Sequence, residues 1–349
     1  MRILVTGGGG FLGTWIVREL LKNPRYLVTN FSRHSYAHLE DIGVPTIRGD
    51  LRKVADLERA LTQGFDAVIH TASLVGMWGR AQDFDEINVE GTRALLAVAR
   101  EHGVRRFVYT SSPSVVFGRG GHRGADETLA HPTEHLGHYP RTKAQAEALV
   151  LAADAEEFHT TALRPHLIWG PGDQNLLPRV IAKARAGKLR RVGDGSNEVD
   201  VIYVEEAARA HVLALEALGP QSKAKGQAFF LGQGPVKLWD FIESVLAQVD
   251  APAPEASVSV AMAYRLGAVC EALWKLLGIM SPEPPLTRFV ALNLGRDHYF
   301  SHAKAQEILG WVAQISLEEG LQRTFSQRAS YRHLLSKEAL AQDAGPGKS

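Results

Sequence analysis

The stretch "TGGGGFLG", residues 6–13, follows directly on the apolar run Ile3, Leu4, Val5 and leads into the helical pattern "FLGTWIVRELL". Glycines between a first strand and a first helix suit phosphate binding. In this pattern Gly7 allows a tight turn, Gly10 lets the backbone approach a pyrophosphate, and Gly13 permits close packing of the helix. The helix N-terminus adds free N–H groups and a partial positive charge. A dinucleotide is the ligand this turn predicts.

Outward from the turn, short apolar runs alternate with helical patterns as far as residue 165, the rhythm of βαβ units feeding a parallel sheet. Strands are predicted over residues 3–6, 27–31, 67–70, 107–111 and 160–163. Between them "DEINVEGTRALLAVAREHG" and "RTKAQAEALVLAAD" carry apolar residues at three- and four-residue intervals. The expected fold class is α/β, a Rossmann-type doubly wound parallel sheet. After "RPHLIWGPGD" longer helices, scattered strands and frequent prolines predict a smaller mixed α/β substrate lobe. The expected division is 1–165 for the dinucleotide domain, with later segments returning to it, 166–335 for the lobe and 336–349 for a flexible tail.

The 349 residues hold 39 Lys and Arg against 38 Asp and Glu. Such a balanced charge gives no long-range field for a phosphate polymer, so nucleic acid is not an expected partner. The single cysteine, Cys270, excludes an internal disulfide, and "MRILVTGGGG" is unlike a secretory leader. A cytoplasmic protein is expected. "AYRLGAVCEALWKLLGIM" is interrupted by Arg265, Glu271 and Lys275, too short and charged for a span. It reads first as a helix packed on the main domain, then as a lid over an alkyl chain, then as a membrane-surface helix. Peripheral membrane contact therefore stays open.

Cofactor choice is read about 20 residues past the glycine turn, where an acid would hold the ribose 2′-hydroxyl of NAD. The sequence there is "VTNFSRH", without an acid. Ser32 and Arg33 can hold a 2′-phosphate instead, since guanidinium matches phosphate with paired hydrogen bonds. NADP(H) is the expected cofactor, with NAD(H) as the alternative and Arg33 then a solvated surface charge.

"HYPRTKAQAE", residues 138–147, places Tyr139 four residues before Lys143 where a helix begins. One helical turn brings both side chains to the same small volume. An ammonium beside a phenol is expected to lower its pKa from about 10 and make it a proton shuttle near neutrality. Lys143 can also bond the nicotinamide ribose. In "YTSSPSVVFG" Ser111, Ser112 and Ser114 offer hydroxyls for the substrate oxygen, and Ser112 is the chosen one.

Together "TGGGGFLG", "RGDL", "VIHTAS", "INVEGT", "YTSSPSVVFG", "YPRTK" and "LRPHLIWGPGD" resemble the extended short-chain dehydrogenases/reductases, in order and over nearly the whole chain. The serine run and apolar lobe are more similar to the 3β-hydroxysteroid and sterol-4-carboxylate 3-dehydrogenase branch. "ALRPHLIWGPGDQNLLPR", "VGDGSNEVD" and "YRLGAVCEALW" are similar to bacterial 2-alkyl-3-oxoalkanoate reductases. The resemblance implies Tyr139 as acid/base, Lys143 as its neighbour and Ser112 as the oxygen-holding hydroxyl. It implies Gly7, Gly10, Phe11 and Leu12 at the dinucleotide phosphates and Asp50 with Leu51 beside adenine. Thr71, Ala72 and Ser73 would line the cofactor, with Pro165 and His166 near nicotinamide. Phe31 departs from the aspartate of NAD-using relatives.

The function so implied is an oxidoreductase of lipid metabolism that interconverts 3-hydroxy and 3-oxo groups on a hydrophobic acid. The foremost substrate is a 2-alkyl-3-oxoalkanoate, with a 3β-hydroxysteroid or sterol 4-carboxylate as alternative. A sugar-nucleotide epimerase or dehydratase and a non-catalytic dinucleotide sensor stand further off. A homodimer is compatible with the resemblance. "HPTEHLGH" gathers His131, Glu134, His135 and His138, but on a loop without a helical His pair, so no metal is expected. Trp78 and Trp169, each just past a strand on the ligand side, are expected substrate contacts.

Overall fold

The computed structural model describes residues 1–326, so the expected tail 336–349 lies outside the described residues. A seven-stranded sheet organises the chain. Its first five strands are β1 (Arg2–Thr6), β2 (Leu27–Ser32), β3 (Thr46–Arg48), β4 (Ala67–His70) and β5 (Arg106–Thr110). β6 (His122–Ala125) belongs to a separate small sheet, and β7 (His159–Pro165) returns to the large one. A late strand, Gln227–Leu231, completes the order Gln227–Leu231, β7, β5, β4, β1, β2, β3, with every pair parallel.

From β1 the chain builds outward through β2 and β3 on one side, then restarts at β4 on the other. The crevice at that reversal is where open α/β sheets bind ligands. The helices of this half are α1 (Phe11–Leu21), α2 (Ala37–Glu40), α3 (Val54–Leu61), α4 (Ala81–Phe84), α5 (Gly91–Glu101) and α6 (His138–Ala152). Side-chain alternation decides which helices cover which face. Ile3 and Val5 join Ile16, Val17 and Leu20 of α1 in one core, whereas Leu4 joins Leu57, Leu95 and Val150 in the other.

Helix Val204–Ala217 packs beside α1, so the main domain takes back this helix as well as strand Gln227–Leu231 after residue 165. The lobe core gathers Trp169, Trp239 and Phe241 with helices Leu176–Arg185 and Leu238–Ala247. A four-stranded sheet joins the lobe to the main domain, because β6 pairs with His298–Phe300.

β3 was not expected, since its three residues at the sheet edge are too short for a pattern. Two local expectations change. The predicted helix across "DEINVEGT" begins as a π-helical turn, Asp85–Glu90, before α5. The apolar helix Val260–Leu276 was expected to pack chiefly on the main domain, yet only Ala263 and Gly267 are buried. Gly267 lies so close to the start of helix Arg288–Gly295 that a Cβ there would stand 2.6 Å from the Thr287 carbonyl carbon. Small residues thus seat the helix and leave its large apolar side chains outside.

Candidate active site

The glycine turn closes by hydrogen bonds of its own backbone. The Gly7 N–H donates to the Phe31 carbonyl at 3.0 Å and the Gly10 N–H to the Gly7 carbonyl at 3.0 Å. Gly7 has φ +72°, a region that favours glycine, and a Cβ there would stand 2.9 Å from the Ala72 backbone. Gly10 caps α1 without a side-chain hydrogen bond, and no acid stands in the first turn. The donors of that turn therefore lack a side-chain acceptor and face a cleft of about 560 Å³, lined by Gly7, Gly10, Phe11, Leu12 and Gly13. This geometry fits a pyrophosphate.

Beyond the turn the cleft continues to Ser32, Arg33, Asp50 and Leu51 on one side, and to Thr71, Ala72 and Ser73 behind β4. Phe31 is buried against Gly49, where a Cβ would approach its ring to 2.5 Å. Ser32 is already engaged, donating to the His34 carbonyl at 2.7 Å and accepting from Asn30 at 2.9 Å. Arg33 is exposed and makes no hydrogen bond or ion pair among the described residues. Asp50 is held by Arg52 at 2.6 Å, which keeps its carboxyl below the usual carboxylate range. Of the expected pair, Arg33 is the group whose side chain has no hydrogen-bonded partner among the described residues, though its charge also helps to lower Asp50. Tyr36 also lines this end, its ring so close over Gly9 that a Cβ there would come within 2.1 Å.

At the other end of the cleft stand Ser112, Tyr139 and Lys143. Ser112 leaves β5 and opens a 3-10 turn, its Oγ accepting from the Ser114 hydroxyl at 3.0 Å and the Ser114 N–H at 3.2 Å. Tyr139 lies in the first turn of α6, where Pro140 costs no hydrogen bond. Lys143 is buried one turn later. Its ammonium donates to the Thr110 carbonyl and lies 4.2 Å from the centre of the Tyr109 ring.

The expected acidification of the phenol is corrected here. Burial pushes Tyr139 up to about 12, opposed only by the nearby Ser112 hydroxyl. Lys143 is itself pushed down to about 7 by burial, with the Glu147 charge opposing. Burial sets the direction, and the Lys143 ammonium is directed to the Thr110 carbonyl rather than to the phenol. The phenol is therefore fully protonated near neutrality, the form that donates to a carbonyl oxygen.

Glu147, one turn beyond Lys143, is fully buried and was not singled out in the sequence. Arg164 donates to it twice, at 2.6 and 2.9 Å, and the His131 ring donates at 3.0 Å. Burial raises its pKa, but these donors prevail and hold it at about 2. Asn88 was also missed. Its side chain accepts from Leu74 N–H at 2.7 Å and donates to Leu74 carbonyl at 3.0 Å and Thr142 at 3.1 Å, tying the loop after β4 to α6. The π-helical turn that carries Asn88 is its structural signature.

Pro165 and His166 line the cleft as expected. His298 donates from Nε2 to the Asn293 carbonyl at 2.7 Å, so its Nδ1 accepts from His166 at 2.6 Å. Burial, aided by His298, holds His166 well below its ordinary pKa and hence neutral. The remaining wall is largely apolar, with Leu74, Val75, Met77, Phe117, Leu176 and Phe289, interrupted by Asp173, Asn175 and Asn293. Neither tryptophan belongs to it. Trp169 is wholly buried against Tyr203 and Phe241 in the lobe core, because the chain turns inward after β7. Trp78 is not among the cleft-lining residues, and its indole N–H donates to the Ile279 carbonyl at 2.8 Å.

Residues 4–260 match the model of the 3-beta hydroxysteroid dehydrogenase/isomerase family, well over half of the chain. The chain belongs to that family. Within it, the chain is 45% identical to the 2-alkyl-3-oxoalkanoate reductase of Stenotrophomonas maltophilia, over 95% of this chain and 100% of that one. It is 39% identical to the Shewanella oneidensis protein of the same name, over 91% and 84%. The sterol-4-alpha-carboxylate 3-dehydrogenase of Mus musculus is 33% identical over 95% and 91%. Among solved structures, UDP-glucuronic acid 4-epimerase from Bacillus cereus in complex with NAD has a TM-score of 0.74 at 22% identity, covering 96% and 100%, a likeness of fold alone.

This family member is thus an NAD(P)-dependent oxidoreductase with a Rossmann-type domain. Its Glu147 gives a prediction about pH. Glu147→Gln removes the charge that favours the Lys143 ammonium, so Lys143 should lose its proton below its present value of about 7. If the ammonium serves turnover, rates fall as pH rises through that ionisation, and the variant's falling limb should move to lower pH. Folding stability should also drop by about 3 kcal/mol, because Arg164 stays buried without its counter-charge. Initial rates from pH 5 to 9 and urea unfolding check the two parts.

Proposed function

We propose that the chain is an NADP(H)-dependent reductase of hydrophobic 3-oxo acids, with a 2-alkyl-3-oxoalkanoate as its substrate. The observation that carries this reading is the cleft itself. Its lining holds a protonated, buried Tyr139 beside Ser112 at one end, the exposed Arg33 near Asp50 at the other, and a largely apolar remaining wall. The identity to two 2-alkyl-3-oxoalkanoate reductases supports the same substrate.

The fit of the first turn of α1 to a pyrophosphate supports Gly7, Gly10, Phe11, Leu12 and Gly13 as the residues that would hold the dinucleotide, with Thr71, Ala72 and Ser73 along it. When bound, its reduced nicotinamide supplies a hydride to the substrate carbonyl carbon. Ser112 orients the carbonyl oxygen by hydrogen bonding. As the C–H bond forms, the C=O π pair moves to oxygen and takes the Tyr139 proton, giving a neutral alcohol. Solvent restores the phenol. Lys143 would hold the ribose beside Tyr139, and the largely apolar wall would exclude water.

Incubating the protein with NADPH and a panel of 3-oxo acids, sterones and sugar nucleotides tests the reading. Oxidation of NADPH with the alkyl-branched 3-oxo acids is expected, and turnover confined to another class would overturn it. The sterol 4-carboxylate is a second reading supported by the relative from mouse. A 3β-hydroxyl beside a 4-carboxylate is itself a β-hydroxy acid, so the chemistry is shared and cleft shape separates the two.

Arg33 carries the cofactor preference. Losing one charged hydrogen-bonding partner of a phosphate removes about 1.5–3 kcal/mol. Arg33→Ala should therefore raise KM for NADPH about tenfold or more while leaving KM for NADH nearly constant. Equal changes for both cofactors would remove Arg33 from this role.

A further inference from the structure

We propose that the outward face of helix Val260–Leu276, with the segment that follows it, docks on an anionic lipid bilayer. The inference stands apart from the choice of substrate. Met262, Leu266, Val269, Leu273, Leu276 and Met280 are all exposed, Leu276 at 82% and Val269 at 56%. Their spacing alternates four and three residues, which keeps them on one side of the helix. From Met262 to Leu276 they form a stripe about 21 Å long at about 1.5 Å per residue, with Met280 just beyond the helix end.

The charges beside this stripe name its occupant. The exposed side chain of Arg265 flanks the stripe and that of Lys275 lies further round the helix, where its charge reaches His138; neither side chain makes a hydrogen bond or ion pair among the described residues. The one acid between residues 260 and 281, Glu271, is turned to the protein, accepting from the Arg288 backbone and side chain at 2.7 Å each. An apolar stripe with cations and no free acid matches an anionic lipid surface better than a neutral protein partner. Among the described residues no helix is long and apolar enough to cross a membrane, so the helix would lie in the interface.

The stripe also leads to the cleft. After the helix, Ile279 accepts from the Trp78 indole at 2.8 Å and Glu283 accepts from the Met77 N–H at 3.0 Å. Trp274 donates to the Pro282 carbonyl at 2.9 Å, folding this segment back along the helix end. The loop that carries Met77, which lines the cleft, is therefore tied to the segment that carries the exposed Met280. A bilayer against the stripe would meet the apolar end of the cleft, where an alkyl chain can enter without crossing water.

Flotation of the full-length chain tests this. The vesicles are phosphatidylcholine, alone or with roughly one quarter phosphatidylglycerol. Wild-type protein is expected to float with the anionic vesicles and to stay behind with the neutral ones, and salt should reverse the binding. Leu266→Ser/Val269→Ser/Leu273→Ser should abolish flotation while circular dichroism and NADPH affinity remain unchanged. Arg265→Gln/Lys275→Gln should weaken anionic binding by about fivefold for each cation removed. Three results overturn the proposal. Wild type fails to float, or the triple variant floats as well as wild type. Alternatively, the stripe is shown to be covered: by a second copy, if the triple variant alone dissociates a dimer in light scattering, or by residues 327–349, if flotation appears only after their removal.

Discussion

Reduction by the Tyr139→Phe protein should be slower by a factor of about 10²–10⁴, the usual contribution of a positioned general acid. NADPH should bind the variant within a few-fold of wild type. The ring remains to fill its place in the first turn of α6, and only the hydroxyl that donates the proton is removed. Because burial holds this phenol at about 12, its own ionisation should leave no break in the rate between pH 5 and 10. Ser112→Ala removes a hydrogen bond rather than the proton, so its loss should be smaller. Stopped-flow rates at saturating NADPH, paired with fluorescence titration of the cofactor, separate the chemical step from binding.

Gly13→Ala should disable the protein more generally. A Cβ at Gly13 would stand 2.1 Å from the Gly7 carbonyl oxygen and 2.8 Å from Gly8 Cα, both backbone. Neither atom can rotate away, so α1 must lift from the turn that presents its N–H groups to the cofactor. A loss of about 3 kcal/mol in folding stability is expected, with NADPH affinity down by about 100-fold as the donors move out of line. Gly10→Ala is the contrasting variant. Its nearest neighbour would be the Gly7 carbonyl oxygen at 3.3 Å, close but without overlap. It should keep most of its stability and lose cofactor affinity, because the added methyl group enters the cleft. Urea unfolding with and without NADPH distinguishes the two.

Much of the cofactor site is legible in the sequence because it depends on local sterics. The glycine turn must follow β1 directly, and every residue expected beside the dinucleotide, from Gly7 to His166, lines one cleft. The Tyr139–Lys143 spacing is equally local, since a single helical turn sets it. Features that depend on how distant segments meet were not legible. The position of Trp169 depends on Tyr203 and Phe241, brought in by the lobe, and the partner of Glu147 comes from β7. The direction of the Tyr139 pKa was misjudged for the same reason. Spacing shows that an ammonium is near, but burial by the rest of the protein decides which effect prevails. Helix Val260–Leu276 shows the limit of composition, since its apolar residues suggested a packed helix while its small residues do the packing.

The most direct measurement is a single turnover of NADPH deuterated at the transferred position with a 3-oxo acid, followed in H2O and in D2O. If the Tyr139 proton moves as hydride reaches carbon, each label should slow the same observed step, and both together should slow it further. A hydride-transfer step retarded by the labelled cofactor but unchanged in D2O would contradict proton donation in that step.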